Sequence, residues 1–256
     1  MSFFNKVLAS VGIGSAKVDT KLYKERYVVG EEVKGIVEIT GGNLEQPIDE
    51  IYLSLATTYI KESDDKKYTQ TGVINKFRVL EKLTIAPNEV REIPFSFNLP
   101  LNTPLSMGRT RIWIQTGLDI KNAIDPSDKD FIEVTPLPLV ASVLTAVSEL
   151  GFRLREVECE EAPRYLRGSH LFVQEFEFVP TGGAFRGKLD ELELTFFPKS
   201  ESTVEIIMQV DRRARGLGGL FSEALAMDES NVRLTVNEND IPTMGNKIFD
   251  VIKRYS

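Results

Sequence analysis

At 256 residues, with 42% hydrophobic and 27% charged side chains, the chain has the make-up of an ordinary folded protein and exceeds the ~100 to 200 residues of one domain, so two domains are expected. A net charge of −7, acidic in both halves, argues against a sequence-independent grip on nucleic-acid phosphates. The single cysteine, Cys159, rules out an internal disulfide and fits a reducing compartment, and without an apolar run near the ~20 residues of a membrane span, integral membrane association is not expected.

The opening MSFFNKVLASVGIG lacks a basic region ahead of its apolar part, and Asn5 and Lys6 interrupt it. Export is therefore not expected, and the cytoplasm is the simplest address. Phe3, Phe4, Val7, Leu8 and Val11 share one helical face, with Gly12 and Gly14 beyond it, which predicts a short amphipathic helix. With Lys6 as its one cation, such a helix suits covering an open sheet edge better than docking on a membrane or a partner. Next, Val18, Thr20 and Leu22 alternate with Asp19, Lys21 and Tyr23, and Val33, Gly35, Val37 and Ile39 with Lys34, Ile36, Glu38 and Thr40. Period two marks strands with one buried face, and the hinge at Lys24 to Arg26 with Gly30 turns them antiparallel.

After a Gly41-Gly42 turn, Ile51, Leu53, Leu55 and Thr57 predict another strand, and KESDDKKY at 61–68 reads as a solvated loop. Strands follow at 74–80, 82–85 and 91–97, with Ala86-Pro87-Asn88 as a turn and Ile93, Phe95 and Phe97 on one face. Pro100 and Pro104 make 99–108 a rigid connection. RIWIQT at 111–116 alternates, 119–130 is polar, and 131–135 is a last strand. Short strands without a long helix between them predict an antiparallel sandwich over residues 1–135.

Pro136 and Pro138 end that pattern, and Val140, Val143, Leu144, Val147 and Leu150 predict a linker helix within 136–151, stopped by Gly151. Its apolar face implies a fixed arrangement of the halves. Alternation returns at 152–159, 171–179, 192–197, 204–211 and 232–236, a second sandwich over 152–256. Ile241, Met244, Ile248, Ile252 and Tyr255 end the chain in an amphipathic helix with a core-facing stripe.

Chemistry is sparse. His170 is the one histidine and Cys159 the one thiol, neither with a neighbouring partner, so catalysis is not expected. Asp125, Asp128 and Asp130 lack the Gly and distal Glu of a calcium loop and read as solvated turn residues, and Glu156, Glu158, Glu160 and Glu161 read as a charged strand edge. No metal or cofactor is expected. Arg212, Arg213 and Arg215 stand beside Gly216, Gly218 and Gly219 and the apolar pair Leu220 and Phe221. A dinucleotide cradle needs Gly where Phe221 stands, and no Gly-Lys-Ser/Thr occurs. Two readings stand side by side: the loop contacts a partner, a second subunit or the other domain, or its arginines pair with Asp211, Glu223 or Asp228 on the surface at roughly 1 kcal/mol or less each. Open sandwich edges offer a homodimer by strand pairing.

The segment Gly30-Glu31-Glu32-Val33-Lys34-Gly35-Ile36-Val37, the entry through Phe95, Phe97, Leu99 and Pro100 to Pro104, and FIEV at 131–134 together resemble the N-terminal sandwich of the arrestin-like superfamily. Over its whole length the chain resembles the bacterial sporulation-control proteins of that superfamily, on LGFRLREVE at 150–158, FRGKLDELEL at 185–194 and VDRRARGLGG at 210–219. The resemblance implies an all-β chain of two arrestin-like antiparallel β-sandwich domains with short N-terminal, linker and C-terminal helices. It also implies a non-enzymatic adaptor or regulator that acts through other proteins in the control of sporulation. The charged cluster and phosphate-sensing lysines of eukaryotic arrestins have no counterpart here, so receptor or phosphopeptide recognition is not carried over. The alternative is a carbohydrate-binding β-sandwich module, which needs aromatics exposed on a flat face, and Trp113 is the sole tryptophan.

Overall fold

The computed structural model describes residues 15–63, 66–120, 125–163, 166, 168, 170–212 and 229–256. The helix expected at 3–11 lies outside them. Two compact units emerge. The first takes residues up to Thr58, Thr71–Ser106 and Arg111–Val134, and the second takes Tyr59–Gln70, Met107–Thr110 and Thr135–Ser256.

The first unit draws on β1 (Lys17–Leu22), β2 (Arg26–Val28), β3 (Glu32–Thr40), β4 (Gln46–Ser63), β5 (Lys66–Leu80), β6 (Leu83–Ile85), β7 (Val90–Asn98), β8 (Ile112–Ile120) and β9 (Ser127–Thr135). One layer is the antiparallel sheet β1-β3-β7; the other runs β4-β8-β9-β2, with β5 and β6 also paired to β4. Alternation sends Val33, Val37 and Ile39 of the first layer, and Ile51, Leu53, Leu55, Ile112, Ile114 and Leu118 of the second, into the core, each at most 1% exposed. Every such side chain contributes about 1.5–3 kcal/mol relative to an exposed one.

Between β2 and β3, Glu31 N–H donates to the Val28 carbonyl at 3.0 Å, and Gly30 has φ of 86°. The third position of a type II turn needs such a positive φ, which glycine adopts without steric cost. Just beyond the two ends of β7, Leu99 N–H donates to Glu31 O and Gly41 N–H to Glu89 O, so the ladder bonds between β3 and β7 fall on odd-numbered residues. Pro94, opposite Ile36, therefore lacks its N–H on the free side of an edge strand, where no bond is lost. The expected polar segment 119–130 is partly strand: β8 runs to Ile120 and β9 begins at Ser127.

The second unit is built on an antiparallel meander of β10 (Phe152–Glu161), β11 (Phe172–Pro180), β12 (Leu189–Ser200), β13 (Thr203–Arg212) and β14 (Glu229–Asn237). Ile60, in the outer arm of β4, pairs in parallel with Glu160 of β10. That arm corrects the loop expected at 61–68. Lys61 and Glu62 continue β4 and Lys66 to Tyr68 belong to β5, held by backbone pairing and by Tyr59 Oη donating to Gln70 Oε1 at 2.9 Å. From Lys66 to Gln70 every side chain is exposed, so no apolar alternation announces the strand.

Helix α1 (Pro138–Glu149) buries Leu139, Val140, Val143, Ala146 and Val147, and packs on β10, on β13 and on α2 (Met244–Tyr255). Gly151 N–H, donating to Ser148 O at 3.0 Å, stops it as expected. Helix α2 buries Met244, Ile248 and Ile252. A capping box precedes it, with Asn239 N–H donating to Asn237 Oδ1 and Asn237 N–H to Asp240 Oδ2. Ile241, expected in the buried stripe, is 38% exposed because it sits in the tight turn Glu238–Thr243 ahead of the helix. The chain is all-β, antiparallel in its layers, with short helices, as its periodicity predicts.

Candidate functional site

The arginine loop connects neighbouring strands. Asp211 of β13 pairs with Glu229 of β14, and Arg212 lies opposite Leu189 of β12. The Arg212 side chain, together with Arg213, Arg215, Leu220 and Phe221, lies outside the described residues; the roots of the loop lie within them. Glu191 pairs across the ladder with Asp211, so the sheet end from which the loop springs carries carboxylates. A bulge in β10 between Leu154 and Glu156 re-aims Arg155, which forms ion pairs with Glu177 of β11 and Glu191 of β12.

Beside it, Arg109 reaches Glu158 at 2.7 Å and Glu156 at 3.3 Å, along a shallow cleft of about 210 Å³ that Gly108 and Leu154 also line. β10 pairs with β11 along its length and, among the described residues, with β4 only at Glu160 opposite Ile60; Glu156 and Glu158, expected on a charged strand edge, meet Arg109 there. A second cleft of about 340 Å³ is lined by Ile60, Glu62, Lys67, Glu160, Glu161 and Pro163, among others. Burial, reinforced by Glu160, holds the neighbouring Glu175 carboxyl above its usual range. The His170 ring stacks on Phe172, with centroids 5.2 Å apart, and Phe172 stacks on Tyr59. Cys159 is buried, its Sγ 3.9 Å from Thr110 Oγ1.

In the first unit Asp125 is exposed in a turn, as expected, whereas Asp128 and Asp130 lie half-buried on β9. Asp125 Oδ1 accepts from Ile120 N–H at 3.0 Å and closes the β8–β9 connection. Asp128 lies on β9, where Oδ2 accepts from the backbone N–H of Thr20 on β1 at 2.7 Å and Oδ1 from Lys129 N–H at 2.8 Å. The hydroxyls of Thr20 and Thr116 meet 2.6 Å apart beside it. Asp130 is pushed up to about 6, chiefly by burial, then by the charge of Asp128, a hydrogen bond with it, and the more distant Asp19. Its Oδ2 is buried without a hydrogen-bond partner. One signal could have found the pair: Asp128 and Asp130 have the same parity as the buried Ile132 and Val134, so period two turns them inward.

The flat aromatic face of a carbohydrate module is not what Trp113 forms. It is 3% exposed, with the Lys129 ammonium 3.8 Å from its ring centroid and Phe131 opposite it. No group of three or more His, Cys, Asp or Glu among the described residues could hold a metal ion. Nor is any helix among them long and apolar enough to cross a membrane.

Fold and polar groups together define a β-sheet protein of antiparallel layers whose described charges serve ladders, turns and one inward carboxylate pair. The profile of the SpoOM protein family matches residues 4–214, and the chain belongs to that family. The sporulation-control protein spo0M of Bacillus subtilis (strain 168) is 47% identical over 241 residues, covering 94% of this chain and 93% of that protein. The crystal structure of Spo0M, sporulation control protein, from Bacillus subtilis superposes with a TM-score of 0.85 at 43% identity, over 95% of this chain and 100% of that one.

Proposed function

We propose that the protein is a non-enzymatic cytoplasmic regulator of sporulation that works as an adaptor, through contacts with other proteins. The observation that carries this reading is the 47% identity, along 94% of the chain, to a protein named for sporulation control. The loop of Arg212, Arg213, Arg215, Leu220 and Phe221 is the proposed contact. In its favour, the loop sets three arginines within four positions ahead of the apolar pair Leu220 and Phe221, and guanidinium forks suit planar carboxylates on a partner. A second copy of the chain is one such partner.

The test is crosslinking in intact sporulating cells, comparing wild type with the triple charge reversal Arg212→Glu, Arg213→Glu, Arg215→Glu. Melting of the purified variant establishes that it folds, and light scattering gives its mass. Loss of specific crosslinked proteins, or a halved mass, is the expected outcome. An unchanged crosslink profile together with an unchanged mass removes the loop from the proposal, and a wild-type profile without protein partners removes the adaptor itself.

A further inference from the structure

We propose that Asp128 and Asp130 form a proton-operated latch on the free edge of strand β1. β1 has one neighbour in its sheet, β3. Tyr23 N–H donates to Lys34 O, so the odd-numbered residues of β1 bond to β3, and the N–H of Thr20 points to the side that no strand occupies. Unsatisfied, that buried donor would cost about 1–3 kcal/mol. Asp128 Oδ2 takes it at 2.7 Å, so a carboxylate from the opposite layer fills a position that an added strand would use.

Asp130 decides how firmly Asp128 stays there. Protonated, its hydroxyl donates to the Asp128 carboxylate, and the pair carries one negative charge. Ionised, it releases its proton to solvent, and two carboxylates then face each other; the buried Oδ2 of Asp130 has no hydrogen-bond donor beside it to offset the added charge. The groups around it do not relieve this repulsion. On its own strand Lys129 turns to the other face and lies over Trp113. β8 sets Ile114 opposite Asp130 and Thr116 opposite Asp128. β1 brings Asp19, a further negative charge, while Lys21 is held by Glu38. On β2, Arg26 is held by Glu133. The latch is therefore closed in acid and strained at neutral pH, where the Thr20 N–H becomes accessible.

Amide hydrogen exchange of Thr20, followed by NMR and corrected for the intrinsic rate, tests this between about pH 4.5 and about pH 7.5. A folded value of about 6 against an ordinary 3.8 caps the loss of protection at roughly 30-fold over that range, and partial solvent exposure lowers it to about 10-fold. The amide of Val37, bonded on the far side of β3, is the internal reference and should change less than about twofold. Asp130→Asn, whose amide donates at every pH, should keep Thr20 protected throughout. Thr20 protection that is independent of pH, or that falls equally in Asp130→Asn, overturns the proposal. Should that variant fail to fold, the carboxyl-carbon titration of Asp130 in the wild type decides: a midpoint near 6 supports the latch, and one at or below about 4 overturns it.

Discussion

Gly35→Ala is the sharpest perturbation that the first unit offers. A Cβ at this position would lie 2.6 Å from the carbonyl oxygen of Lys21 and 2.7 Å from Cζ of Phe95, both well inside van der Waals contact. Phe95 is half-buried and its ring can swing. The Lys21 carbonyl cannot move alone, because Lys21 is in register with Ile36, so β1 and β3 must part locally. Overpacking of this kind costs about 2–3 kcal/mol, and the smaller freedom of alanine in the unfolded chain returns about 0.5–1 kcal/mol. The net loss of about 1–2.5 kcal/mol lowers the melting temperature of the first unit by roughly 4–10 °C, read by calorimetry. Gly168→Ala, where nothing lies within 4 Å of the added atom, is the control: it keeps only the unfolded-chain gain and should melt no lower than wild type and up to about 4 °C higher. If Gly35→Ala melts at or above the wild-type temperature, the strand separation argued from the backbone is wrong.

Two further outcomes follow from the same geometry. Because the folded value of Asp130 lies above its unfolded value, its contribution to stability is full below about 3.8 and disappears as pH rises through about 6. Asp130→Asn should thus exceed wild type by about 1 kcal/mol at pH near 7.5 and match it near pH 4, the full gap of ~3 kcal/mol being reduced by solvent screening; guanidinium midpoints that differ equally at both pH values contradict this. Gly245→Ala on α2, where the added Cβ meets nothing within 4 Å, should stabilise by about 0.5–1 kcal/mol through helix propensity, and a lowered denaturation midpoint would count against the packing described for that helix.

Most strands were legible because their signal is local: a strand with one wet face alternates, and Ile51, Leu53 and Leu55 can be read without knowing what they face. The linker and C-terminal helices were legible for the same reason, through the stripes Val140–Val143–Val147 and Met244–Ile248–Ile252. Where both faces of a strand are wet, as from Lys66 to Gln70, the alternation vanishes and only pairing with β4 makes the strand. The outward donor on β1 shows the same limit at the candidate sites. Asp128 and Thr20 are 108 positions apart, and nothing near either residue says that they meet.

Apart from stretches such as Lys66 to Gln70, the order of residues along this chain therefore set which segments become strands and helices and which side of each is apolar, since those depend on side chains two to four places apart. Tertiary structure alone decided that residues 59–70 and 107–110 join the second unit, that a bulge turns Arg155 toward Glu177 and Glu191, and that two aspartates meet an edge strand. Pairing between distant segments settles such matters, because the dielectric and hydrogen-bond partners around a charged group come from whichever strands close over it.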